Sequence, residues 1–466
     1  MVDATVLILV DGMQVVVPDS LDLITPYVLS EQLDFFEDEL RFVRRLLRPG
    51  HMVVDIGANY GVYTVSMAKK VGASGHVWAF EPASSTGEFL QRSILAGGLE
   101  QVTLEQKAVS SASGVAQLAL QGHAELNSIV HGESSAAASE TVWLVTLDEC
   151  MEQFRWTDIE LIKIDAEGEE RNIVRGGRRF FAELSPLVQY ELRQAEDVNF
   201  PLIHDFTALG YDSYRLVPGL NTLVPYTESL HDPYLLNLFC CKADRAAALA
   251  GRGVLLRASD VSGPEVFDQS AGYHWRRALA HLPYAASFVP AWEEAETAAN
   301  GGEIIRALAL YARSRDPAES LANRFGALEA GYASLKELCA REPTRLRLAS
   351  LARVAHDFGD RGSAVNALAR LLAFIQQSGV DPSEPFLAPL ERFDSIAPEP
   401  NAAQWLVAAV LEQLELREQF SSFYAGPNAR ERLEDIRALG FGSPEMSRRL
   451  NLVERRLYRE RPKQNA

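Results

Sequence analysis

The chain opens with two apolar runs, VLILV and MQVVVP, separated by Asp11-Gly12. An Asp-Gly pair between such runs is the strongest short-range hairpin signal, so the spacing predicts an opening β-hairpin. From 30 to 47 the apolar positions change to helical spacing, with Leu33, Phe36, Leu40, Val43 and Leu47 on one face, and Pro49-Gly50 stops the run. One helix is expected there. Between 51 and 242 short apolar runs alternate with helical stretches: MVVDIG, VYTVSMAKKV, HVWAFEP, SSTGEFLQRSILAGG and VTLEQKAVS. VAQLAL, VWLVTLDE, ELIKIDAEG, PLVQYEL, YDSYRL and LLNLFCCK follow, with helices expected over 170–183 and 201–209. Such alternation implies parallel strands joined by crossover helices, an α/β Rossmann-like sheet of about seven core strands. YDSYRL and LLNLFCCK have no helix between them and are expected to pair antiparallel at one edge.

After Ala246 the strand-like runs vanish and Ala, Leu, Arg and Glu dominate in helical spacing, which predicts an all-α region. RLRLASLARVAHDFGDRGSAVNALARLLAFIQQSG reads as two antiparallel helices, with Gly359 and Gly362 at the turn and Ala355 and Ala364 where the helices approach. It resembles one degenerate tetratricopeptide-like unit, without a clean period of about 34 residues on either side. Pro382, Pro385, Pro389, Pro398 and Pro400 mark a looped interruption. Arg448, Arg449, Arg455, Arg456, Arg459 and Arg461 crowd the end of the chain, a pattern expected on solvated helix faces, with a docking surface as the alternative. The expected organisation is an entry segment over 1–50, an α/β domain over 51–245 and a helical domain over 246–466.

Composition narrows the class. At about 150 residues per domain, 466 residues ask for two or three domains, and 47% apolar with 23% charged residues is an ordinary folded proportion. The net charge of −18 is unevenly placed: residues 1–250 hold 18 basic and 35 acidic side chains, residues 251–466 hold 27 and 28. An acidic first half repels phosphate backbones, so no nucleic-acid partner is expected. Cys150, Cys240, Cys241 and Cys339 form no CxxC pair and are expected to be buried and reduced. No signal peptide is expected, since Val6–Val10 is only five apolar residues behind Asp3. The apolar stretch over 278–292 contains His281, Pro283 and Pro290 and falls short of the roughly 18 residues a membrane span needs. Cytoplasmic residence is the default expectation.

The chemistry concentrates in VVDIGANYGVYT, a strand carrying Asp55, a turn through Gly57, then Gly61 and a helix. A glycine turn at that place lets a ligand approach the backbone. A dinucleotide pyrophosphate would want a close glycine where Asn59 stands, and Asp55 would repel it. S-adenosylmethionine has no phosphate, and its amino and sulfonium groups are cationic, so a strand-end carboxylate attracts it. Glu81, ending HVWAFEP, stands where an acid can accept both hydroxyls of an adenosine ribose. That role serves either cofactor. The bland alternative makes Asp55 a helix cap and Glu81 an exposed strand end. A third signal, LIKIDAEGEERNIVRGG, delivers Lys163, Asp165 and Glu167 to a strand end before Gly168. A hydroxyl attacking a methyl sulfonium must lose a proton, and a carboxylate there could take it, Asp165 first. For Glu167 and Glu170, complementing a helix N-terminus is an equal alternative. Lys163 would pair with these acids.

Through PGHMVVDIGANYGVYT, FEP, KAVS, VTLDE and KIDAEGEE with the later RGG, the region over about 31–242 resembles the FkbM-type methyltransferases. The resemblance implies an S-adenosylmethionine-dependent O-methyltransferase acting on a hydroxyl of a sugar, glycan or natural product. It also implies a cofactor site of Asp55, Gly57, Asn59, Gly61 and Glu81, with Asp165 and Glu167 as catalytic candidates. Asn127 and Ser128 resemble the polar segment near the cleft, and Glu191 ends the next strand as a further substrate candidate. The helical region lies outside the resemblance; it would recruit a large acceptor or a protein partner, or form a homodimer. A non-catalytic scaffold and a methyltransferase acting on protein or RNA are the competing functions. Asp232-Pro233-Tyr234 looks like part of an amino-methyltransferase box but has one proline and reads as a turn. Scattered histidines give no zinc spacing, and no metal is assigned, although Asp165 and Glu167 are hard ligands of the kind magnesium takes.

Overall fold

The computed structural model describes residues 3–130, 138–194, 197–228, 232, 234–261, 274–297, 302–375, 384–425 and 427–460. They fall into two compact units: Met1–Leu216 with Leu223–Leu230 and Leu235–Leu255, and Val217–Thr222 and His231–Tyr234 with Leu256–Ala466.

The first unit begins with the hairpin, Ala4–Ile8 antiparallel to Gln14–Pro18. Its turn is shaped by Gly12 at φ 80 and by Asp11 Oδ1, which accepts the Met13 N–H at 3.0 Å. The single helix expected over 30–47 is instead two helices, α1 (Ile24–Gln32) and α2 (Asp38–Leu46). Leu33 ends α1 in the left-handed region at φ 58, and Asp34 then accepts the Phe35 N–H at 2.9 Å and pairs with Arg44 at 2.7 Å. With Asp38 and Glu39 in its first turn and Arg44 and Arg45 in its last, α2 complements its own dipole and starts afresh. Apolar spacing runs on across this break, so periodicity alone does not reveal it.

The core sheet has eight strands: β1 (Met52–Ile56), β2 (His76–Phe80), β3 (Val102–Glu105), β4 (Leu161–Ile164), β5 (Leu187–Glu191), β6 (Asp212–Val217), β7 (Thr222–Pro225) and β8 (Asn237–Cys241). Their order is β7-β6-β8-β5-β4-β1-β2-β3. β1 to β5 pair in parallel, whereas β8 is antiparallel to both β5 and β6. The expected antiparallel pair is present, but the short strand β7 lies outside it and raises the count above seven. Central strands such as β4 are buried along their whole length, as expected for strands covered on both faces. Helix α3 (Val62–Val71) joins β1 to β2, and α4 (Ser84–Gly97) joins β2 to β3.

VAQLAL, VWLV and KAV do not enter the core sheet. They form a second sheet, Lys107–Val109, Ser139–Val145, Gly114–Ala119 and Ser128–Ile129 in that order, whose outer face leaves Trp143 and Val115 exposed opposite each other. The helix expected over 170–183 divides into Glu170–Gly176 and Arg178–Glu183. The break falls at Gly177, at φ −119 and ψ 26, while Gly176 is required for close approach, since a Cβ there would collide with the Ser110 carbonyl oxygen of the KAVS strand end.

The second unit is helical. Arg345–Phe358 and Arg361–Ile375 form the expected pair, with Gly359 capping the first at φ 89 and Ala355 and Ala364 fully buried. Pro382 lies outside the described residues, and the rest of the proline-rich stretch buries Phe386, Leu387 and Ala388. Asp232 serves as a turn residue, accepting the Tyr234 N–H at 3.0 Å and, through its other oxygen, the Arg361 N–H at 2.6 Å; Pro233 is outside the described residues. The arginine-rich final helix, Pro444–Glu460, is not simply a solvated face. Arg449 is 1% exposed and pairs with Glu445 at 2.9 Å and Glu415 at 3.3 Å, and Arg456 stacks over Phe423. Arg461 is outside the described residues. Among the described residues no helix is long and apolar enough to cross a membrane, and all four cysteines are free and buried.

Candidate active site

The strand order reverses between β4 and β1, and that crevice at the carboxyl ends is where open α/β sheets bind ligands. Pairing register sets one row across it, Asp55 beside Lys163 beside Gln189. Beyond β1 the backbone turns at Gly57, φ 75, where a Cβ would collide with the carbonyl oxygen of Asp165; only glycine lets the two strand tips approach so closely. Asn59 is also left-handed at φ 49, and its N–H donates to Glu81 Oε2 at 2.9 Å while Ala83 N–H donates to Glu81 Oε1 at 2.9 Å. The contribution of Asn59 is therefore partly its backbone, which fastens the β2 acid to the glycine turn.

Asp55 and Glu81 line one hollow together with Gly57, Asn59, Asp165 and Glu167. Asp55 is fully buried; Oδ2 accepts the Thr64 hydroxyl at 2.6 Å, and Oδ1 has no hydrogen-bond partner. Lys163 Nζ meets Asp165 at 2.6 Å and lies 4.9 Å from the centre of the Tyr63 ring. Tyr63 donates to Glu37 Oε2 at 2.5 Å and accepts from Gln189 Nε2 at 3.0 Å. Seven carboxylates line the hollow (Glu37, Asp55, Glu81, Glu125, Asp165, Glu167, Glu169) against two ammonium groups, Lys107 and Lys163.

This crowding sets the protonation of the acids. Burial raises Asp55, with Lys163 and Thr64 working against it. Burial pushes Glu81 up to about 7, although the Ala83 and Asn59 amides pull it down. Glu167 is pushed up to about 8 by burial, then by Asp165 and Glu170, and Glu191 to about 10 by burial, then by Asp165 and Glu167. Burial alone would lower Lys163, but Asp165, Asp55 and Glu37 outweigh it and keep the ammonium protonated.

Not every expected residue has the expected place. Gly61, at φ 90 before α3, does not line the hollow; a Cβ there would collide with Leu90 of α4, so its task is close helix packing. Asn127 lines the hollow and accepts the Gln121 N–H at 2.8 Å, whereas Ser128 does not, because strand alternation gives the lining to Asn127 and Ile129. Glu191 is not in the lining, but its carboxylate lies with those of Asp165 and Glu167 within 4.8 Å of one another, a separation that could hold a cation. Glu170 accepts the Ala166 and Gly168 N–H groups at 3.1 Å, the helix-end role. Sequence reasoning missed Glu37, Tyr63 and Glu125. Glu37 arrives on the 33–37 connection between α1 and α2, and Glu125 accepts the Thr25 N–H at 3.0 Å from a hundred residues away; no local pattern announces either.

The hollow suits S-adenosylmethionine: a buried carboxylate oxygen without a partner and an excess of acids favour a cationic, phosphate-free nucleoside and oppose a pyrophosphate. Residues 55–213 match the family model described as the methyltransferase FkbM domain. No curated protein matches the chain. Among solved structures, the methyltransferase FkbM from Methylobacillus flagellatus KT is 15% identical with a TM-score of 0.30, over 43% of this chain and 50% of that one. A candidate rRNA methylase from Clostridium thermocellum is 10% identical with a TM-score of 0.29, over 45% and 95%. A SAM-dependent O-methyltransferase from Thermotoga maritima is 13% identical with a TM-score of 0.26, over 49% and 72%. On the family match, residues 55–213 are an FkbM methyltransferase domain, dependent on S-adenosylmethionine, joined in this chain to a helical region.

Proposed function

We propose that the domain methylates a hydroxyl of a sugar, glycan or natural product, with Asp165 accepting the hydroxyl proton. The observation that carries this is the placement of Asp165: its carboxylate touches the Lys163 ammonium at 2.6 Å, is 34% exposed, and stands at the rim of the hollow that Asp55 and Glu81 also line. A proton acceptor must be charged and reachable, and this one has an ammonium partner while Glu167 and Glu191 beside it are pushed toward the protonated form. Asp55, the Gly57 turn, the Asn59 backbone and Glu81 would hold S-adenosylmethionine, which supplies the electrophilic methyl group when bound. Asn127, Ser128 and Glu191 are the residues nearest the acceptor in this reading. Ser128 itself stands outside the lining. The helical unit would recruit a large acceptor or a partner, the pair Arg345–Phe358 and Arg361–Ile375 acting as a tetratricopeptide-like surface, or it would form a homodimer. Four buried, unpaired cysteines support a reducing, cytoplasmic setting.

The test follows tritiated methyl from S-adenosylmethionine into lysate fractions. Label is expected in saccharide or small-molecule fractions, and label in protein or RNA would overturn the acceptor assignment. With an acceptor in hand, Asp165→Asn is expected to lower kcat by about 100-fold or more while leaving donor affinity within about threefold, in line with the usual yield of general base catalysis.

A further inference from the structure

We propose that the helical unit carries a saccharide-binding site of its own, a cavity that receives a neutral sugar ring between guanidinium and carboxylate groups. The proposal rests on the acceptor reading above only for the occupant's role, as the glycan to be methylated; the site itself stands on the geometry of its walls. The cavity measures about 350 Å³, within the range of about 300–1,000 Å³ usual for small-ligand sites, and all of its lining belongs to the second unit. Leu282 follows the helix Trp275–Leu279, Tyr311 and Ala312 lie near the end of Gly302–Ser314, and Arg353 comes from Arg345–Phe358. The proline-rich interruption adds Leu387, Glu391 and Asp394, so that stretch of the sequence supplies a wall of the cavity.

The lining is balanced in charge, with Arg277, Arg315 and Arg353 against Asp316, Glu391 and Asp394, and so offers neither an anion nor a cation a net attraction. Its deeper pairs are closed. Arg353, 3% exposed, meets Asp394 at 3.1 Å, Arg277 meets Asp316 at 2.5 Å, and the Tyr311 hydroxyl donates to Asp357 at 2.8 Å. The rim is open. Glu391 Oε1 stands 3.6 Å from Arg315 Nη2 and 3.8 Å from Arg353 Nη2, both too far for a hydrogen bond, while Arg315 Nη1 is held by the Gly219 carbonyl at 2.7 Å. The Arg315 and Glu391 side chains are 40% and 69% exposed, so a ligand reaches both. A hydroxyl is donor and acceptor on one atom; it fills such a gap by accepting from the guanidinium and donating to the carboxylate. An anion would satisfy the guanidinium and be repelled by Glu391. Beside these groups Leu282, Pro317 and Leu387 give apolar surface for the C–H groups of a sugar ring.

The test applies the labelled full chain, without donor, to a printed array of neutral, uronate-bearing and sulfated glycans, and then titrates the best-retained neutral glycan calorimetrically. Neutral glycans are expected to be retained over the charged ones. Glu391→Ala and Arg315→Ala are each expected to weaken the titrated glycan at least about fivefold. Both side chains are exposed at the rim, so the variants should melt within about 2 °C of the wild type, which reports that they are folded. Retention of no neutral glycan, with water alone filling the gap at Glu391, overturns the proposal. So does a preference for uronate or sulfated glycans, or neutral-glycan binding that both variants leave intact. A glycan that binds here yet takes no tritiated methyl from S-adenosylmethionine would sustain the site and end the acceptor reading, so the two fail separately.

Discussion

Buried charge is handled differently in the two units. In the helical unit the buried guanidinium groups of Arg449, Arg353 and Arg347 meet carboxylates: Arg449 with Glu415 and Glu445, Arg353 with Asp394 at 3.1 Å, Arg347 with Glu384 at 3.1 Å. At the strand tips of the α/β unit the acids outnumber the cations, and Lys163 faces Asp165, Asp55 and Glu37 at once. Such pairs neutralise most of the charge they bury. An unmatched set, with an orphaned oxygen on Asp55 and neighbours driven to retain protons, is incomplete without an occupant. Imbalance, more than charge itself, separates the site from the scaffold.

The contrast can be broken most sharply at Arg449. Arg449→Ala removes the nearer of two guanidinium partners of Glu415, itself 1% exposed and left with Arg432 at 3.5 Å, and is expected to cost about 3 kcal/mol, read as a lower denaturant midpoint. Replacing both partners, Arg449→Leu with Glu415→Leu, should recover most of that loss. A double variant as unstable as the single one would show that the pair does more than neutralise itself.

Lys163→Met probes the unmatched side. It removes the ammonium that three acids share, yet those acids can take up protons, so the expected cost is smaller, about 1–3 kcal/mol near pH 8 and less near pH 5. An equal loss at both values would mean that the acids stay charged without their cation.

A further test of the unmatched side is the pH dependence of the ligand-free protein. Glu81 and Glu167 titrate at about 7 and about 8 in the fold against 4.5 ordinarily, so the folded state binds more protons than the unfolded one between these values. Their contribution is fully present below pH 4.5 and is lost as pH rises toward 8. The melting temperature should therefore fall from about pH 5 to pH 8, and fall less in Glu167→Gln. A melting temperature that rises over this range contradicts the assignment.

That Asp55, Gly57, Asn59 and Glu81 share one hollow was legible in the chain because its signals are local. A strand end carrying Asp55, a glycine two residues on, and an acid closing the next strand all lie within one β-α-β stretch, where backbone geometry follows from neighbouring residues. Gly61 shows the limit of that reading: its missing side chain makes room for Leu90, and it does not line the hollow. The break at Leu33 shows another, since apolar spacing continued through a turn made by Asp34 and Arg44. Arg449 was hidden for the same reason, because a run of arginines looks alike whether or not a glutamate from another helix, here Glu415, closes over one of them.

What the amino-acid order determined is the set of chemical groups and the strand tips that carry them: alternating apolar runs make the sheet, and glycine at 57 permits the close approach. Which charges share one hollow was decided only by the tertiary structure, which brings Glu37 from the entry segment and Glu125 from the turn between two strands of the second sheet into the same lining as Lys163, Asp165 and Glu167. Protonation follows distance and burial, and neither quantity is written in the spacing of residues along a chain.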